Sequence, residues 1–377
     1  MATRHAAGPL YAILALALAL PVPVLAVEDP GVILSEEHED AANFHIDSDD
    51  GNWLLVPGGF VQLRYQLGYE DYFPWDTNST FHVPRAKLFA LGHAFSPTLR
   101  YKLQINLGGT AVGEEQVLED AFVEWAPGPS LGVRAGQFRA PYSRQRLTST
   151  TRLVFVERAL EHVIDEYDRN LYRFNLGRQA GVMLFGDSET FEYRLAVLNG
   201  NGARPFGDWD NPRPLFVARV AVSPFGPVPY EEGCVNEDYW DDTLLAIGLN
   251  AFHQMHEAMD VSGLGADLAL RYGRLGADLE VHFKLRHGKS TYGSFGGHAD
   301  VSLFLDELGL LVGARYAIVL EDLGNLELRR HQVGPAVAYL PWGHHNAKLM
   351  ADLLLLAEEL PTLHLSPALR VQVVLRF

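Results

Sequence analysis

The chain is 377 residues long, 48% hydrophobic and 20% charged, with one cysteine and a formal net charge of −17. A single cysteine excludes an internal disulfide framework, so stability must come from hydrogen bonding and burial. The acidic balance leaves no expectation of a nucleic-acid partner.

Arg4 and His5 precede an apolar stretch over residues 10–20, followed by Pro21, Pro23 and the small-residue site Val24-Leu25-Ala26. This reads as a secretory signal peptide over residues 1–26. Its apolar core is short for a bilayer, and no later run reaches the roughly 18 uninterrupted apolar residues of a transmembrane helix. Residues 27–50 carry nine acids and no Lys or Arg, and residues 230–242 carry six more acids, again without a base. Most of the net charge therefore sits in two loop-like blocks. Residues 27–58 are expected to form an acidic, flexible periplasmic arm ahead of a folded domain over residues 59–377.

Beyond the arm the hydrophobic period is two. Val61, Leu63, Tyr65, Leu67 and Tyr69 alternate with Gln62, Arg64, Gln66, Gly68 and Glu70. The pattern returns over residues 99–108 and 275–286, and the last strand sets Leu369, Val371, Val373, Leu375 and Phe377 against Arg370, Gln372, Val374 and Arg376. Strands of about ten residues, with charges on one face, fit a bilayer better than a soluble sandwich, whose strands average five or six residues. Sixteen strands are predicted, starting near residues 60, 85, 99, 117, 131, 180, 190, 214, 243, 264, 275, 298, 309, 331, 346 and 367. The fold class is all-β, a transmembrane antiparallel barrel of about 16 strands, closed so that no edge meets lipid. Short and long connections alternate, and residues 222–242 are the exception, a long link on the short-turn side. That link is either a miscount or a periplasmic insertion. Tyr69, Tyr72, Phe73, Trp75, Trp125, Tyr239, Trp240 and Trp342, near strand ends, suit interfacial girdles.

The stretch Val133-Arg134-Ala135-Gly136-Gln137-Phe138-Arg139-Ala140-Pro141-Tyr142-Ser143, with Arg146-Leu147-Thr148-Ser149 and Val154-Phe155-Val156-Glu157-Arg158-Ala159-Leu160, resembles the phosphate-selective porin O and P family. Arg178-Gln179-Ala180-Gly181-Val182, Leu195-Ala196-Val197-Leu198-Asn199-Gly200-Asn201-Gly202, Asp120-Ala121-Phe122-Val123-Glu124 and Gly343-His344-His345-Asn346-Ala347-Lys348-Leu349 extend it. The resemblance implies a 16-stranded porin of the bacterial outer membrane, often a homotrimer, with a third loop folded inward as a constriction. It also implies passive diffusion of small hydrophilic solutes, anions such as phosphate among them. The long connection over residues 140–179 occupies the place of that loop, and its stretch 151–167 is expected to form a short helix with Leu153, Val156, Leu160 and Val163 as an apolar stripe.

A channel needs a wet lumen, a constriction and a charge pattern. The constriction-loop candidates for anion contact are Arg139, Arg144, Arg146, Arg152 and Arg158. The lumen candidates are Arg64, Arg85, Lys87, Arg100, Lys102 and Arg134, with Arg194, Arg219, Arg271, Lys284, Arg286, Arg315, Arg370 and Arg376 beyond them. Guanidinium forks suit phosphate and carboxylate, yet each of these bases could equally sit in a lumen salt bridge with Glu124, Glu192, Asp267 or Asp278. Phosphate-selective members use many lysines around the pore, whereas this chain has five. A non-selective general porin, or an envelope tether using the acidic arm, therefore stands beside the anion channel. No G-x-S-x-G motif or other nucleophile signature is present, so no enzyme is expected. No cofactor or metal is expected either, since His253 with His256 and His344 with His345 read as solvated turn residues. The expected partners are outer-membrane lipid, small anionic or polar solutes, and the outer-membrane assembly machinery acting on the C-terminal strand.

Overall fold

The computed structural model describes residues 44–70, 76–108, 117–162, 174–200, 214–255, 260–322, 327–359 and 362–377. The alternating segments form strands one for one. After a short rim strand β1 (Ile46–Asp47), the wall runs β2 (Leu54–Glu70), β3 (Asp76–Ala94), β4 (Ser96–Asn106), β5 (Leu118–Gly128), β6 (Leu131–Arg139), β7 (Arg178–Asp187), β8 (Phe191–Leu198) and β9 (Leu215–Val222). It continues with β10 (Thr243–Gln254), β11 (Asp260–Tyr272), β12 (Leu275–His287), β13 (Thr291–Leu305), β14 (Leu310–Asp322), β15 (Glu327–Tyr339), β16 (Ala347–Glu359) and β17 (Leu363–Arg376). Each strand pairs antiparallel with the next, and β17 returns to β2 with Leu369 opposite Leu67 and Val373 opposite Leu63. Reciprocal bonds between Gly59 and Phe377, at 2.8 and 3.0 Å, finish the seam. Sixteen strands thus close on themselves, as a wall in lipid must.

The surface is inverted relative to a soluble protein. Leu63, Val123, Leu249, Leu279 and Leu375 face outward, while Gln62, Arg64, Glu124, Arg219 and Lys284 are buried inside. Period-two alternation places the two sets on opposite faces, and only a hydrocarbon surround makes the apolar face the outer one. Short turns join β3 to β4, β5 to β6, β7 to β8 and β11 to β12 on the rim where the two ends of the wall meet. The wall begins at Leu54, ahead of Gly59, because Leu54 and Val56 pack on Phe89 and Leu91 of β3 in a small apolar cluster. Residues 1–43, which hold the expected signal peptide and most of the acidic arm, lie outside the described residues. So do Tyr72, Phe73 and Trp75.

Two connections differ from expectation. The helix expected over residues 151–167 is not formed over residues 151–162, and residues 163–173 lie outside the described residues. Helix would consume backbone groups that the wall takes instead: the Val156 N–H donates to Asp352 at 3.0 Å, and Lys348 donates to the Leu153 carbonyl at 2.7 Å. Among the described residues of this connection, a helical turn at Arg144–Leu147, capped by Ser143, and a 3₁₀ turn at Leu160–His162 remain. The long link between β9 and β10 is a real insertion, and it is folded: Val228, Tyr230, Cys234 and Val235 are buried. Val154, Phe155, Val156 and Val235 pack with Phe304, Leu311, Ala336, Ala338, Leu340, Met350, Leu354 and Val374 into one apolar cluster inside the wall formed by β13–β17. Tyr239 and Trp240, expected at the interface, pack inward on this insertion, whereas Trp125 and Trp342 stay exposed.

Candidate functional site: the lumen

The segment over residues 140–162 is anchored to opposite sides of the wall. Glu157 accepts from Arg64 Nη2 of β2 at 2.5 Å and from Arg85 Nη1 and Nη2 of β3 at 3.0 and 3.1 Å. Arg315 of β14 donates to the Glu157 carbonyl at 2.7 Å while holding Asp300 of β13 through Nε and Nη2. Burial by itself would raise the Glu157 carboxyl, but the two guanidiniums hold it well below the usual carboxylate range. The fold supplies room for this segment by omitting side chains: a Cβ on Gly296 of β13 would lie 2.6 Å from the Phe174 ring and 2.9 Å from the Glu161 Cβ.

The β9–β10 insertion meets that segment inside the barrel. Glu232 is the junction, accepting from Gln145 Nε2 at 2.6 Å and from the Val154 N–H at 2.8 Å, while its own N–H donates to the Arg152 carbonyl at 3.0 Å. Arg144 donates to the Val228 and Pro229 carbonyls at 2.9 and 2.5 Å and lies 4.4 Å over the Tyr230 ring. The Tyr230 hydroxyl donates to Glu192, itself paired to Arg219 at 3.0 Å, and burial pushes that hydroxyl upward. Backbone lies on backbone where the insertion crosses β12, since a Cβ on Gly276 would fall 2.6 Å from the Gly233 Cα. Cys234 is fully buried beside it, and burial pushes its thiol up to about 11.

These two inward segments fill the half of the interior next to β13–β17 and leave a cavity of about 710 Å³ along β2–β10. Its wall carries Lys87, Arg100, Lys102, Arg134, Arg139, Arg144, Arg152, Arg194 and Arg376 against Asp120, Glu124, Asp187, Glu189 and Glu192. Phe60, Phe89, Phe122, Phe138 and Phe185 line it as well, so the charges stand on an apolar floor that strengthens their field.

The sequence-predicted residues divide into three groups. Arg139, Arg144 and Arg152 face the cavity. Arg139 Nη1 donates to the Arg146 and Leu147 carbonyls, and Arg158 donates to the Gln145 and Thr148 carbonyls, so these guanidiniums knit the segment's own turn. Arg146 and Arg158 are buried and do not line the cavity. Of the wall bases, Lys87 pairs with Glu119 at 2.6 Å, Arg100 lies 3.8 Å from Glu124, Lys102 lies 3.3 Å from Asp120, and Arg134 pairs with Glu124 at 2.7 Å. Lys87, Arg100, Lys102 and Arg134 are paired and also line the passage, while Arg64 and Arg85 serve as anchors for Glu157.

The sequence reading did not foresee Glu119, Glu232, Asp300 and Asp352 as partners, nor that Glu157 pairs with bases of the wall. Strand register would have found two of them, because Asp300 stands directly opposite Arg315 and Asp352 opposite Arg370. Nothing in the local pattern marks the wall partners of the Glu157 carboxylate or the partners of the Glu232 carboxylate, which are 72 to 93 and 78 to 87 residues distant.

Residues 60–213 match the family described as phosphate-selective porin O and P. No curated protein matches the chain in sequence. Among solved structures the chain is similar to the anion-selective porin from Comamonas acidovorans, at TM-score 0.62 and 12% identity over 86% of this chain and 99% of that one. It is similar to OmpT of Vibrio cholerae in its trimer form, at TM-score 0.55 and 8% identity over 86% and 99% of the two chains. The outer membrane channel DcaP of Acinetobacter baumannii gives TM-score 0.54 and 10% identity over 88% and 99%. Identities this low speak for the fold, and the family match speaks for the sequence. The chain is thus a closed sixteen-strand β-barrel with an apolar exterior and a charged lumen, the fold of the outer-membrane porins it resembles, and its residues 60–213 match the phosphate-selective porin O and P family.

Proposed function

We propose that this porin passes small anions, phosphate among them, along the basic cavity on the β2–β10 side, with residues 140–162 as its constriction. The observation that carries this reading is the excess of nine bases over five acids around the cavity. Arg144 adds weight, because bonds to backbone carbonyls orient its guanidinium without cancelling its charge. An arginine fork so held can take a phosphate or carboxylate oxygen pair and hand it on. The Comamonas acidovorans porin of similar fold is anion-selective, which agrees with this direction. Phosphate is proposed as one permeant anion rather than the sole one, since only Lys87 and Lys102 bring lysine to the lining.

The chain is further proposed to be exported by residues 1–26, to assemble as a homotrimer and to be inserted through its C-terminal strand ending at Phe377. The selectivity reading is tested in planar bilayers. Arg139→Gln, Arg144→Gln and Arg152→Gln together remove three of the nine bases, so the anion over cation permeability ratio is expected to fall. Phosphate added to one side should reduce chloride current through the wild-type pore. An unchanged permeability ratio in the triple variant would count against the assignment.

A further inference from the structure

Where residues 140–162 meet β12 and β13, three histidines and two glutamates converge in the interior: Glu161, His162, Glu280, His282 and His298. None of them belongs to the passage along β2–β10. We propose that His162 Nε2, Glu280 Oε2 and His282 Nε2 bind a divalent transition-metal ion of the zinc class, which fastens the constriction segment to the wall.

Spacing is the first support. Zinc in tetrahedral geometry, with bonds of about 2.0–2.1 Å, separates its ligand atoms by roughly 3.3–3.4 Å. Here His162 Nε2 lies 3.5 Å from Glu280 Oε2, and His282 Nε2 lies 3.1 Å from the same oxygen. Two imidazoles and one carboxylate form a donor set that zinc accepts with a fourth position open.

Proton accounting is the second support. The Tyr142 hydroxyl has one proton and donates it to the Leu264 carbonyl at 3.3 Å, so it accepts from His282 Nδ1–H at 3.1 Å. The Nε2 lone pair of that tautomer then faces the Glu280 carboxylate. Ser143 Oγ accepts from the Arg146 N–H and donates its own proton to Glu280 Oε2 at 2.7 Å, so it brings no proton to His162 Nε2, 3.2 Å away. Glu161 Oε1 stands 3.6 Å from the same nitrogen. Ser143 Oγ, Glu280 Oε2 and Glu161 Oε1 thus all turn lone pairs toward His162 Nε2, and either a proton on that nitrogen or a cation beside it satisfies them. Among the described residues, Glu161 Oε2 and His162 Nδ1 are also buried without a hydrogen-bond partner.

Access and support complete the site. A cavity of about 10 Å³, bounded in part by Gln145, Glu232, Asp278, Glu280 and His298, has room for one water beside the cluster. Tyr142 acts as a positioning residue, since its bond to Nδ1 fixes the ring orientation and directs the Nε2 lone pair at the metal. Because His162 belongs to the constriction segment and the other two ligands to β12, an ion here ties the two together.

The test is zinc retained by the purified, folded barrel after dialysis, measured by mass spectrometry, with the visible spectrum of a cobalt-loaded sample as a second readout. One zinc per chain is expected in the wild type and in the surface control His287→Gln/His344→Gln. His162→Gln/His282→Gln should lose affinity at least tenfold, and Tyr142→Phe should lose about 10–100-fold with every ligand still in place. Zinc that is not retained by the wild type, or is retained equally by His162→Gln/His282→Gln, overturns the proposal. Should that double variant fail to fold, the cobalt spectrum of the wild type decides: strong tetrahedral bands support the site, and the weak bands of octahedral aqueous cobalt refute it.

Discussion

Glu157→Gln probes most sharply the anchoring of residues 140–162, the proposed constriction. The carboxylate takes three charge-assisted bonds from Arg64 and Arg85, at 2.5, 3.0 and 3.1 Å, and its side chain is 14% exposed. Removing one partner of a buried ion pair costs about 3–5 kcal/mol. Glutamine still accepts one bond, and Arg64 keeps its bonds to Gln372, so the lower end, about 3 kcal/mol, applies here. That is roughly a hundredfold in the ratio of docked to released segment. The same change removes one negative charge from the interior. Single-channel recording in planar bilayers should therefore show more frequent current transitions, together with a shift of zero-current potential toward stronger anion preference. Conductance, noise and potential all equal to wild type would refute the anchoring argument. The pH dependence has a defined sign. Because the carboxyl is held below the ordinary glutamate value of 4.5, its contribution is fully present above that value and is lost only as pH falls through the lower folded value. Recordings at pH 7 and pH 5 should therefore show the same transition frequency in the wild type.

The insertion offers two further tests. Gly276→Leu puts a side chain where only Gly233 backbone fits, so it should displace the insertion and raise single-channel conductance severalfold; unchanged conductance would show that the insertion does not obstruct the lumen. Cys234 is fully buried with its thiol pushed up to about 11, so a water-soluble maleimide at pH 7.5 should label the native barrel far more slowly than the denatured chain. In Gly276→Leu the labelling should speed up, and slow labelling there would mean that the insertion stays docked.

The wall was legible because a strand's period of two separates lipid-facing from lumen-facing residues without any long-range information. Every predicted strand start has a counterpart, though β3 begins at Asp76 rather than near residue 85, since its first residues lack the alternation. The contents of the lumen were harder to read. Leu153, Val156 and Leu160 suggested a helix, but backbone groups there bond to Asp352, Glu232 and Lys348, residues 78 to 196 positions away. Val374 and Ala338 break the polar phase of their strands because they face an apolar cluster rather than water, and alternation by itself cannot announce that. The acidic block at residues 230–242 read as a solvated loop, yet Glu231 is buried with its carboxylate beside His345 and its carbonyl accepting from Arg271, and the Glu232 carboxylate is buried against Arg315. Charge composition reports how many acids a segment holds and says nothing of the guanidiniums waiting across the barrel.

The central claim is that the lumen favours anions, and the zero-current potential across a bilayer holding this porin in a KCl gradient tests it most directly. The nine bases against five acids along the cavity predict a potential of the sign set by chloride, diminishing when Arg139, Arg144 and Arg152 are neutralised. A potential of the sign set by potassium would contradict the account.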